Sequence, residues 1–242
     1  MRKSITFLAA LTIGAVAVFA QEPYDYTGRW YVSAQGGPLI SINENHFSYK
    51  DNDYLRGLLT WQGSLAVGYD IMPELGVRLS VGYGNNAAAA NVKQTNYSDN
   101  GVKFFPYNFK SVNVFADAIL NVHGLSEDYS AFSPKFYAGL GYAHSFNPEK
   151  TARNVWKDSD AIHPWQPVYD HNNVFGFRLG FIAEYNFRNG IGLFADLCGE
   201  AYTDSYNGLK PTEEDHDSRE GYAGFPLDLR GILSFGIVYH FK

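Results

Sequence analysis

The chain has 242 residues, with 19 lysines and arginines against 25 aspartates and glutamates, for a formal net charge of −6. That acidity excludes nucleic acid as a partner, since a phosphate backbone demands a basic footprint, and a single cysteine, Cys198, excludes an intrachain disulfide framework. Aromatics at 17% and 24 glycines fit a β-rich chain with tight packing and many turns.

Residues 1–20 begin with Arg2 and Lys3, continue as the apolar run Ile5–Phe19 and finish on Ala20 before Gln21. A positive start, a short apolar core and a small residue at a polar boundary predict a secretory signal peptide. The run falls short of the roughly 18–20 apolar residues that a first transmembrane helix needs. No cysteine follows it, so a lipoprotein anchor is excluded. The signal carries two of the basic residues and none of the acidic ones, leaving 17 − 25 = −8 for the expected barrel domain, residues 21–242.

From Arg29 onward the chain predicts eight strands. The first is Trp30–Ile42 and the second Leu58–Asp70, followed by a short turn at Met72–Glu74. The third, Leu75–Gly84, places Leu75, Val77, Leu79, Val81 and Tyr83 on one face, and Gly76, Arg78, Ser80, Gly82 and Gly84 on the other. The fourth is Phe109–Val122 and the fifth Lys135–Phe146, joined through His123–Pro134. The sixth, Asn173–Phe187, leads through the Arg188–Gly190 turn to the seventh, Ile191–Thr203. The eighth, Leu229–Lys242, presents Leu, Gly, Leu, Phe, Ile, Tyr and Phe at odd positions, and Arg, Ile, Ser, Gly, Val, His and Lys at even ones. Period-two alternation of this length is strand geometry, and about 9–11 tilted residues cross a bilayer.

Long connections fall at Asn43–Gly57, Asn85–Tyr107, Asn147–Asn172 and Asp204–Asp228, and short ones between them. An even strand count with long and short connections alternating is the pattern of an outer-membrane barrel. The fold class expected is therefore all-β: an eight-stranded antiparallel up-and-down transmembrane β-barrel. A soluble barrel also alternates, but turns its apolar face inward. Here the glycines Gly76, Gly82, Gly139, Gly141, Gly180, Gly192 and Gly236 lie on the less apolar face, as a narrow interior requires. The bulky face ends in Trp61, Tyr69, Tyr83, Tyr185, Phe187 and Tyr239, in the manner of an interfacial girdle.

Strand-borne charges are Arg78, Asp117, Arg178, Glu184, Asp196, Glu200 and Arg230, and most share the glycine face. Centring the hairpin between the sixth and seventh strands on Asn189 sets Arg178 opposite Glu200 and Glu184 diagonal to Asp196. In so narrow an interior these charges read as a plug of ion pairs. His144 and Ser145 are neighbours on a strand and point to opposite faces, so they make no nucleophile–base pair, and no nucleophile elbow exists. The chain is read as a non-enzyme without a cofactor or a metal site. The acidic Glu213–Asp217 stretch matches no calcium or zinc spacing. Trp156–Tyr169 is either a contact patch or a cover for the rim, and Cys198 a small inward residue.

Arg29-Trp30-Tyr31-Val32-Ser33, Leu65–Asp70 with Pro73–Leu79, Tyr137–Ala143 and the ending Phe235–Phe241 together resemble the OmpA-type outer-membrane β-barrel domain in its Bacteroidetes-like form. The peptidoglycan-binding domain that often follows such barrels has no counterpart in the sequence. The resemblance implies a Gram-negative outer membrane, long loops extracellular and short turns periplasmic, with outer-membrane lipid and lipopolysaccharide around the wall. It implies that insertion machinery reads the closing strand through Phe235, Ile237, Tyr239 and Phe241, although Lys242 follows the last aromatic. The expected role is membrane integrity with loops displayed for adhesion or a host or surface ligand. The alternatives are a narrow ion or small-solute pore gated by the lumen charges, a lipid-modifying barrel enzyme and a soluble ligand-binding barrel.

Overall fold

A computed structural model describes residues 28–42, 59–94, 102–122, 131–149, 162–164, 170–187, 190–203, 206 and 227–241. The predicted signal peptide and most of the long connections lie outside the described residues. Nine strands are present among them: β1 (Arg29–Ile42), β2 (Leu59–Asp70), β3 (Leu75–Gln94), β4 (Val102–Asn121), β5 (Phe132–Phe146), β6 (Ile162–Pro164), β7 (His171–Asn186), β8 (Ile191–Thr203) and β9 (Leu227–His240). Eight of them close a ring of antiparallel neighbours, β1 pairing with both β2 and β9. The fold is a closed eight-stranded antiparallel β-barrel. β6 stands outside the ring as a short addition to the far edge of β3.

The wall is turned inside out relative to a water-soluble barrel. Leu140 is 75% exposed, Phe175 69%, Leu65 67% and Phe235 61%. Arg178 and Glu200, by contrast, are buried in the interior. Trp30 with Tyr69, Trp61 with Tyr83, Tyr185 with Phe187 and Tyr239 with Phe241 form ring pairs on the outer face.

The interior is filled by a pairwise device. Tyr31 lies opposite Gly68, Phe115 opposite Gly141, Tyr137 opposite Gly180, Tyr202 opposite Gly176 and Phe194 opposite Gly236. In each pair a Cβ on the glycine would run into the facing ring. Each inward ring therefore occupies the space that a side chain on the facing glycine would take, and covers the glycine backbone. At these five positions the glycine marks the seat of an aromatic.

One predicted connection is strand instead. β3 and β4 are 20 residues each and stay paired from Leu75↔Leu120 to Lys93↔Val102, through most of the expected loop Asn85–Tyr107. The run Ala87–Ala90 has no polar–apolar alternation, so period two is invisible there, but it faces Phe105–Asn108 in register. The β-forming character sits on the β4 partner. Of the remaining strand ends, Ile42, Asp70, Leu75, Phe146, Ile191 and Thr203 fall where predicted, and the others move by one to three residues. Gly190 takes a positive φ of 83° in the β7–β8 turn, as its position in the hairpin requires.

Candidate functional site in the barrel interior

Five of the seven predicted interior charges fall on a single row of directly facing residues. Arg78 on β3 faces Asp117 on β4, Asp117 faces Gly139 on β5, and Gly139 faces Arg178 on β7. Arg178 in turn faces Glu200 on β8, which faces Arg230 on β9. Gly139 lacks a side chain, and Arg178 reaches across it to Asp117. Its Nε donates to Asp117 Oδ1 at 2.7 Å and its Nη2 to Oδ2 at 2.6 Å. Arg78 Nε donates to the same Oδ2 at 2.7 Å.

The expected Arg178–Glu200 partnership is present but secondary, at 3.7 Å. Glu200 is held chiefly by Arg230 Nη2 and by the Tyr202 hydroxyl, which donates to it at 2.7 Å. Buried carboxylates need both charge partners and hydrogen bonds to offset desolvation, and this row supplies both. The guanidinium of Arg178 also lies 4.4 Å from the Phe115 ring centre, and that of Arg78 4.4 Å from Tyr137.

Asp196 and Glu184 stand off the row, diagonal to each other across β7 and β8 as predicted, and each has its own partners. Asp196 accepts from Tyr137 at 2.9 Å and from Gln35 at 3.1 Å. Glu184 binds Lys135 at 2.8 Å, accepts from Asn186 at 2.8 Å and touches His240 Nε2 at 3.2 Å. Lys135 and His240 belong to this cluster and were not among the predicted charges. Both share the parity of known inward residues, Lys135 with Tyr137 and His240 with Arg230, so the signal was present in the alternation. Cys198 is buried on the same inward face.

The end of the lumen nearest the long connections is stopped by Tyr206, from the β8–β9 connection. Tyr206 stacks on Tyr202 at 4.2 Å and 7°, meets Phe109 edge-on, donates to Ser111 at 2.8 Å and contacts Arg230 Nη1. Burial pushes its phenol above the ordinary value, keeping it a neutral donor. A small cavity remains near the opposite end, between Tyr31, Arg78, Lys135, Glu184 and Phe194. Arg78 Nη2 has no partner there.

His144 lies on the outward face of β5, and Ser145 is buried on the inward one. The predicted closing-strand residues Phe235, Ile237, Tyr239 and Phe241 are all exposed on the outer wall. Among the described residues no group of three or more histidine, cysteine, aspartate or glutamate side chains is placed to hold a metal.

No protein-family model matches the chain, and no curated protein matches it. Several solved structures are similar to it. One is Neisserial surface protein A, 14% identical over 88% of this chain and 97% of that one, with a TM-score of 0.46. Another is the outer membrane protein OprG from Pseudomonas aeruginosa, 13% identical over 89% and 98%, at 0.47. A third is a major outer membrane protein from Thermus thermophilus, 18% identical over 88% and 99%, also at 0.47. At this level of similarity they assign neither family nor activity.

Proposed function

We propose that the chain is a sealed, non-enzymatic barrel of a Gram-negative outer membrane that supports membrane integrity and holds loops at the cell surface. The carrying observation is the inverted wall, a belt of exposed phenylalanine and leucine around an ionic interior. Only a hydrocarbon surround stabilises such a distribution, because in water that belt would remain unburied apolar surface. The long connections face outward from the cell and the short turns face the periplasm in this reading. The OmpA-like motifs and the closing-strand aromatics, as a signal for insertion machinery, form part of the same proposal.

The seal rests on packing. Tyr206 stops one end, and the Arg78–Asp117–Arg178 group crosses the middle. Eight strands leave an interior just wide enough for side chains. The refolded chain in planar lipid bilayers is expected to show no steady single-channel conductance, and the native chain to fractionate with the outer membrane. A stable conductance in the unmodified chain would replace the sealed barrel with a narrow pore. A deletion strain is expected to be more sensitive to detergent; unchanged sensitivity would remove the integrity role.

A further inference from the structure

On the outer wall, at the end of the barrel that carries the long connections, His144 of β5 and His171 of β7 stand diagonal across one strand pair. The direct partners there are His144↔Asn173 and Phe146↔His171. The two imidazole rings are 6.2 Å apart between centres and inclined by 35°. His144 is fixed on two sides. Phe146 stacks against it at 5.6 Å and 20°, and its Nδ1 lies 2.7 Å from Asn173 Oδ1. An amide oxygen only accepts, so with Asn173 Oδ1 as the partner it is the Nδ1-protonated tautomer that fits, and in that neutral tautomer Nε2 carries the lone pair. A histidine oriented through its other ring nitrogen by a carbonyl-type oxygen is the usual arrangement around a metal ligand.

We propose that His144 and His171 form a rim site for a divalent first-row transition-metal ion such as copper(II), nickel(II) or zinc, with water completing the coordination. Imidazole suits these ions, and the chemistry selects against magnesium and calcium, which take oxygen donors. Two imidazoles on one tetrahedral ion have ring centres roughly 5 Å apart, given metal–nitrogen distances of about 2.0–2.1 Å. His171 is exposed, and a modest turn of its side chain closes the difference. Asn173 acts as a positioning residue for His144.

The test uses the refolded full chain in detergent micelles, titrated with copper(II) chloride and zinc chloride. One-to-one binding is expected, with nitrogen superhyperfine structure from two imidazoles in the copper(II) electron paramagnetic resonance spectrum. His144→Ala and His171→Ala should each abolish that signature, and Asn173→Leu should weaken binding roughly tenfold. Unchanged stoichiometry and affinity in the double histidine variant would place the ion elsewhere and overturn the proposal. A spectrum of the unmodified chain with no nitrogen coupling would overturn it without reference to any variant.

Discussion

Arg178 concentrates the interior electrostatics in one side chain. It serves Asp117 through two donors, Ser80 through one and Glu200 at longer range. Arg178→Ala leaves Asp117 with Arg78 alone and weakens the charge balance around Glu200. Removing one member of a buried ionic group costs about 3–5 kcal/mol. Urea titration of the refolded chain, followed by tryptophan fluorescence, should show a loss of that size. A loss under about 1 kcal/mol, the range of an exposed pair, would mean that water solvates Asp117 and the plug is loose. The facing of Arg178 and Glu200 is legible in the sequence because both residues lie equally far from one tight turn. Asp117 as the main partner of Arg178 is not legible there, since that contact passes over Gly139 from a non-adjacent strand and depends on the curvature of the closed wall.

Between strands, the glycine–aromatic pairs govern how the wall closes. Gly180 is the clearest case, because a Cβ there would enter the Tyr137 ring. Gly180→Ala is expected to cost about 1–3 kcal/mol through overpacking. Pairing it with Tyr137→Ala should cost less than the two single losses added together, since the residues are in contact. Strict additivity in that double-mutant cycle would show that the ring moves aside freely. Face assignment was legible along nearly every strand because inward and outward residues alternate without a break. Strand length was not legible at Asn85–Tyr107, where consecutive alanines and asparagines carry no alternation for a reader to follow. Tyr206 was equally hidden, one of two tyrosines in a polar connection with no periodicity to mark it as inward.

At the scale of the whole molecule, the wall defines its own solvent. Leu140 sits mid-strand on β5 and is the most exposed large apolar side chain of the wall. Leu140→Arg should lower stability in bilayers by about 2–4 kcal/mol if that position lies near the midplane. The loss should appear as a reduced folded fraction on refolding into vesicles. Unimpaired folding of this variant in lipid would contradict a hydrocarbon environment for the belt.

β6 has a genetic corollary. Its three residues belong to the chain between β5 and β7, yet they bond to Val92–Gln94 at the tip of β3, beyond β4. Two segments that lie far apart in the sequence are therefore stitched to each other. Excising 150–169 would also strip Val92–Gln94 of their β6 partner, so an effect of such a cut could be credited to the wrong segment. Point changes that spare the stitch are the cleaner way to assign a role to either segment.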